Sequence, residues 1–173
     1  TGRNRFESVK YRGSRRPPPA PTPGRTGVYR LFHLVPLADV PADAVESLLD
    51  AAFGTDRHGR TAYRVREGIG VIPGLSFAAV EDGALVGSIQ CWPVALAGGG
   101  GARVAMVVDG PGAVSPARQN VGIGRALMWR AIEEAQAAGE PLMLIGDPEY
   151  YAQFGFDADA TGRDMVEELG GKL

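Results

Sequence analysis

The chain has 173 residues, is 45% apolar and carries a formal net charge of −2. That length suits one domain with a sizeable core, and the single cysteine, Cys91, excludes a disulfide framework and suits a reducing, cytoplasmic setting. No apolar run reaches the length of a membrane span, and His33 and His58 are too few and too far apart for a metal cluster, so neither a membrane partner nor a metal is expected.

Charge is placed unevenly. Residues 1–27 hold seven Lys/Arg against Glu7 alone, a net +6, which leaves 11 bases and 19 acids, −8, in residues 28–173. Pro17, Pro18, Pro19, Pro21 and Pro23 keep this stretch out of helix and central strand. The expected organisation is a flexible basic leader over 1–27 and one folded domain over 28–173. A self-association arm is the other reading of the leader. Nucleic acid is not an expected partner, because the acidic body would repel phosphate.

Val28 to Val35 reads as the first strand. Asp39 could cap the next helix, whose apolar face is Val45, Leu48, Leu49, Ala52 and Phe53, with Gly54 ending it. A short helical piece is expected near Arg60 to Arg66, then loop through Gly68, Gly70, Pro73 and Gly74. Leu75 to Val80 and Leu85 to Trp92 read as strands joined by the turn Glu81-Asp82-Gly83. Cys91 lies in the second of these, where a packed thiol is favoured over a nucleophile. After the flexible Gly98–Gly101 run, Val104 to Val108 is a strand that continues, bent or bulged, through Ala113 and Val114.

Gln119-Asn120-Val121-Gly122-Ile123-Gly124-Arg125 then opens an amphipathic helix with Ile123, Leu127, Ala131, Ala135 and Ala138 on one face. A helix start offers free N–H groups, and two glycines let an anion approach them closely; a tight turn would explain the same pair. The dinucleotide fingerprint fails because position 127 is Leu, and the Walker pattern is absent. Pro141 to Ile145 is a short apolar strand. It completes a βαβ unit, expected to cross over right-handedly.

Q-x-x-G-x-G over Gln119–Gly124, followed by Gly146-Asp147-Pro148-Glu149-Tyr150-Tyr151-Ala152-Gln153-Phe154-Gly155-Phe156, resembles the GNAT superfamily of acyl-CoA-dependent N-acetyltransferases. Its uncharacterised bacterial branch is the nearest in character, and the resemblance runs from about Tyr29 to Phe156. It implies an α/β fold: a single mixed, mostly antiparallel twisted sheet flanked by helices. A strand ordinarily follows Gly155-Phe156 in that family. Here Asp157 to Leu173 is short, acidic and helical in pattern around Asp164 to Leu169, so the last strand is expected to be missing or replaced. An exposed sheet edge makes a homodimer the expected assembly.

The resemblance also implies the chemistry: acetyl-CoA as co-substrate and direct attack by a primary amine of a small molecule or peptide. The N–H groups of Gly122, Ile123, Gly124 and Arg125 would bind pyrophosphate, with Gln119 as a cap or loop-ordering group. The Arg125 side chain reads equally as phosphate contact or solvated residue, and Asn120 as a turn residue. An N–H near Ala113 or Val114 would hold the thioester carbonyl. Gly112 stands where a bulkier apolar residue is expected.

Tyr151, four residues before Gly155, matches the family tyrosine that protonates the leaving sulfur; from the residues alone it reads as a core aromatic. Asp109 is the carboxylate nearest the acceptor strand, a base candidate or a turn cap beside Gly110-Pro111. Asp147 would cap the helix after Pro148 or orient the two tyrosines. Arg57, His58, Arg60 and Arg64 would wall the acceptor side, ordinary solvated loop residues being the plainer reading. The alternative function is a non-catalytic acyl-CoA-binding sensor, suggested by Gly112, the absence of an obvious base and the altered end.

Overall fold

The computed structural model describes residues 8–11, 32–59, 63, 68–97 and 103–157. Among these, seven strands form one sheet: β1 (Ser8–Tyr11), β2 (His33–Pro36), β3 (Phe77–Glu81), β4 (Ala84–Ala97), β5 (Arg103–Val114), β6 (Leu142–Ile145) and β7 (Phe156–Asp157). Their order is β2-β3-β4-β5-β6-β1-β7. β5 and β6 run parallel, and the remaining neighbours are antiparallel. The expected mixed, mostly antiparallel sheet is therefore present.

Two helices cover its faces. In β3, Phe77 and Ala79 join the core beneath α2 (Ile123–Ala138), while Ala78 joins that beneath α1 (Ala42–Phe53), so alternate residues serve opposite layers. Both faces being covered explains why β3 reads as an apolar run rather than an alternation. α1 buries Val45, Leu48 and Leu49 and ends at Gly54, φ 87°. Its N-cap is Pro41, without a side-chain cap, so Asp39 does not cap it; Asp39 closes the 3₁₀ turn Leu37–Asp39. α2 buries Ile123, Leu127, Met128, Trp129, Ala131, Ile132 and Ala135, whereas Ala138 is exposed. Left-handed Gly139 stops it, its N–H bonded to Ala135 and Gln136 carbonyls.

The β3–β4 turn is Asp82–Gly83, both with positive φ (49° and 79°), the geometry that matches the twist of a two-residue hairpin. Glu81 is not part of it. It ends β3 and is buried.

Strand β5 is bulged, as its sequence suggests. Ile89 pairs with Gly112 and Cys91 with Asp109, two steps along β4 against three along β5. One extra residue therefore sits in β5 at Gly110-Pro111, where the peptide bond is cis. The insertion switches the parity of β5: Val107 faces the α2 core, but Ala113 belongs to the α1 core.

The leader is partly folded into the sheet. Ser8–Tyr11, placed by the sequence reading in a flexible arm, pairs with β6 through Ser8–Lys10 and with β7 through Lys10 and Tyr11. It lies between β6 and β7 in the sheet. The start of the strand expected at Val28, the helical piece near Arg60–Arg66 apart from Tyr63, the Gly98–Gly101 run and the acidic helix near Asp164–Leu169 lie outside the described residues. No helix among the described residues is long and apolar enough to cross a membrane.

Candidate active site

The bulge has a consequence for the neighbouring strand. β6 pairs with β5 only through Val107, Val108 and Asp109, while β5 runs on beside β4 to Val114. β5 and β6 thus part company after Asp109, and a cleft opens between Gly112–Val114 on one side and the segment after β6 on the other. Its inner part, about 180 Å³, is walled by residues including Gly112, Ala113, Val114, Met128, Tyr151 and Phe154. Its outer part, about 460 Å³, is walled by Arg118, Gln119, Asn120, Gly122–Arg125 and Gln153. Val114, Gly124 and Tyr150 belong to both parts.

The outer part is built around the start of α2. Gly122 is its N-cap, φ 89° and ψ 4°, and no side chain caps it, so the expected capping role of Gln119 is not realised. Asn120 is also left-handed, φ 65°. The first N–H groups of the helix are left without side-chain acceptors at the cleft, together with the positive end of the helix dipole. A Cβ on Gly122 would meet nothing within 4 Å, and one on Gly124 would meet only Val114 Cγ2 at 3.5 Å. The glycines leave room on the cleft side rather than relieving a clash with protein. Gly122 is further required by its positive φ.

The helix start is set close to the sheet by a residue the sequence reading passed over. A Cβ on Gly87 of β4 would lie 2.6 Å from Ile123 Cγ2, 3.1 Å from Leu127 Cδ1 and 3.3 Å from the Ala113 carbonyl. A glycine inside an apolar strand run was the available signal.

The far wall is α3 (Pro148–Tyr151). Asp147 caps it, its side chain accepting from Glu149 N at 3.0 Å, which settles the Asp147 alternatives towards capping. Tyr151 is half-buried. Its ring meets those of Tyr150, Phe154 and Phe156 at centroid distances of 4.9, 6.2 and 6.1 Å. It also lies over Gly146, where a Cβ would overlap the ring edge. Tyr150 is an exposed wall of the cleft, and Phe154 and Phe156 are core, as expected. Burial, and after it the charge of Asp109, pushes the Tyr151 phenol up to about 12.

Asp109 does not line the cleft. It is 5% exposed, at the point where β5 and β6 separate, with Oδ1 3.9 Å from Cys91 Sγ. Burial, with the Asp109 carboxylate beside it, pushes the Cys91 thiol far above its ordinary range, so Cys91 is a packed thiol and not a nucleophile. Among the described residues no group of His, Cys, Asp and Glu is arranged to hold a metal ion.

Arg57 departs from its expected place on a solvated wall. It is 1% exposed, bonded through Nε to Asp50 at 2.7 Å and through its Nη2 to Glu46, so it staples the turn Thr55–Gly59 to α1. His58 is exposed beside it, and Arg60 and Arg64 lie outside the described residues.

The profile described as the acetyltransferase (GNAT) family matches residues 42–156. The uncharacterized N-acetyltransferase YhbS of Escherichia coli (strain K12) is 27% identical over 125 residues, 70% of this chain and 72% of that protein. A GNAT family acetyltransferase from Brucella melitensis, solved in complex with acetyl-CoA, is 30% identical with a TM-score of 0.57, over 75% of this chain and 84% of that one. The E. coli YhbS structure in complex with CoA has the same fold, with a TM-score of 0.59 at 24% identity over 80% and 74% of the two chains. From the match over residues 42–156, more than half of its length, the chain belongs to the acetyltransferase (GNAT) family, whose general chemistry is acetyl-CoA-dependent acyl transfer.

Proposed function

We propose that this protein transfers the acetyl group of acetyl-CoA to a primary amine of a small molecule or peptide by direct attack. The observation that carries this reading is one continuous cleft with unclaimed helix N–H groups at its outer end and Tyr151 in its inner wall. Acetyl-CoA fits its chemistry. Pyrophosphate is a set of acceptors for the N–H groups of Gly122, Ile123, Gly124 and Arg125. The amides of the pantetheine arm suit the edge of Gly112–Val114, which β6 does not cover. An N–H at Ala113 or Val114 would polarise the thioester carbonyl.

The neutral amine nitrogen forms the new C–N bond as the C–S bond breaks, and the electron pair leaves with sulfur. Tyr151 donates its proton to that sulfur, the surplus proton on nitrogen leaves to water, and the phenolate takes a proton back from water, which restores the enzyme. The phenol is protonated at neutral pH and so has a proton to give, although burial makes it a weaker acid than a free tyrosine. Asp109, buried away from the cleft lining, does not serve as the base for the amine in this reading; its charge adds to the upward shift of the Tyr151 phenol.

Calorimetric titration with acetyl-CoA, followed by acetylation assays over polyamines, amino acids, antibiotics and peptides, tests the proposal. Binding with turnover on at least one amine is expected. Binding without turnover across the panel would favour the sensor reading, and no binding would remove both.

A further inference from the structure

We propose that Glu81 and Arg118 form a strut, in which Glu81 positions the Arg118 guanidinium as the side-chain donor for the coenzyme pyrophosphate. The proposal rests on reading the cleft as the acetyl-CoA site. Glu81 is the last residue of β3 and is 5% exposed, a place where a carboxylate without a partner is costly. Its partner comes from 37 residues on: Arg118 Nη2 donates to Glu81 Oε1 at 2.7 Å. Arg118 closes the 3₁₀ turn Pro116–Arg118 immediately before the glycine loop. The turn has a second tether on the same hairpin, Ser115 N to the Val86 carbonyl at 2.8 Å. The loop that presents the helix start is therefore fixed twice to the β3–β4 hairpin.

Arg118 itself lines the outer cleft beside Gln119, Asn120 and Gly122–Arg125. Its Nε is shielded from solvent and has no hydrogen-bond partner among the described residues. Buried donors are seldom left so, and the missing acceptor fits an anionic ligand in the adjoining cleft. The Glu81–Arg118 pair is neutral as a unit, so Arg118 offers directed N–H donors rather than net charge. Arg125, exposed on the first turn of α2, is not held in this way. A guanidinium already fixed loses less freedom on binding than a solvated one.

The test compares affinities for acetyl-CoA, its 3′-dephospho form and S-acetylpantetheine, which lacks the pyrophosphate. Arg118→Met is expected to weaken both phosphorylated ligands alike, on the order of tenfold, and to leave S-acetylpantetheine unchanged. Glu81→Gln should show the same pattern with a smaller loss. The double variant, Glu81→Gln with Arg118→Met, should match Arg118→Met alone, because Glu81 acts only through Arg118. The double variant also removes the carboxylate that Arg118→Met would leave buried, so the comparison survives if the single variant does not fold. Equal loss for S-acetylpantetheine would mean a merely structural role and would overturn the proposal. So would unchanged affinity in the double variant, or a loss confined to the 3′-phosphorylated ligand. Failure of the unmodified protein to bind acetyl-CoA would instead overturn the reading of the cleft.

Discussion

Gly87→Ala is the most direct probe of how the helix start is held against the sheet. The added methyl would sit 2.6 Å from Ile123 Cγ2, well inside the ordinary carbon contact of about 3.5–4.0 Å. Ile123 is 1% exposed and β-branched, so its methyl cannot swing aside. Leu127 Cδ1 at 3.1 Å and the Ala113 carbonyl at 3.3 Å close the other directions. The first turn of α2 must move outward, and overpacking of this kind costs about 1–3 kcal/mol. For a domain of this size that is a fall in Tm of about 2–4 °C per kcal/mol. Because the N–H groups of Gly122 to Arg125 move with Ile123, affinity for acetyl-CoA should fall as well. Differential scanning calorimetry and isothermal titration measure the two effects on the same sample. An unchanged Tm together with unchanged affinity would refute the claim that Gly87 sets the helix position.

The remaining perturbations act on one part of the cleft at a time. Tyr151→Phe should lower turnover roughly 10–100-fold while leaving the fold and acetyl-CoA affinity intact. In the unmodified enzyme the loss of activity that follows phenol ionisation should begin near pH 12 rather than 10, since the group must be protonated to act; a limb at pH 10 in steady-state kinetics would contradict its burial beside Asp109. Gly122→Asp should bind acetyl-CoA at least tenfold more weakly by calorimetry, an order-of-magnitude figure: the carboxylate would claim the helix N–H groups and repel phosphate, and left-handed φ adds about 1–2 kcal/mol of strain. Cys91 should resist iodoacetamide at pH 8 in the folded protein and react once denaturant exposes it, as mass spectrometry would record. Deleting residues 1–11 should lower Tm and turnover, because it uncovers β6 and β7 beside α3, while acetyl-CoA affinity is retained.

The elements with strong periodicity were legible from the residues. The apolar runs and turn of β3–β4, the face of α2 and the Asp147 cap each follow from local chemistry, and the ordered glycine and tyrosine motifs, through the family resemblance, mark residues that line the cleft. What the sequence hid was long-range. Nothing local marks Glu81 as the partner of Arg118, because a carboxylate beside Asp82-Gly83 is also good turn chemistry. Arg57 looks like a solvated loop residue until α1 brings Glu46 and Asp50 to it. Ser8–Tyr11 is hidden among basic residues, and its strand pairing depends on β6 and β7 from the other end of the chain.

The split in the sheet explains why binding and proton transfer should separate under mutation. Strands β2 to β5, together with α2, make one half, and the phosphate end belongs to it through Gly87, Ser115 and Glu81. β6, β1 and β7 make the other, and Tyr151 belongs to that half through Gly146 and Phe156. Among the described residues the sheet pairing between the halves is Val107–Asp109 with β6, and beneath it Trp129 of α2 packs edge-on against Phe154 at 5.4 Å. A ligand with phosphates at one end and a thioester at the other must bridge them. Changes in the first half should therefore appear chiefly in Kd, and changes in the second chiefly in kcat. Asp109, at the junction, is the residue whose substitution should disturb both: Asp109→Asn removes the charge that favours the protonated Tyr151 while sitting in the last pair before the strands divide.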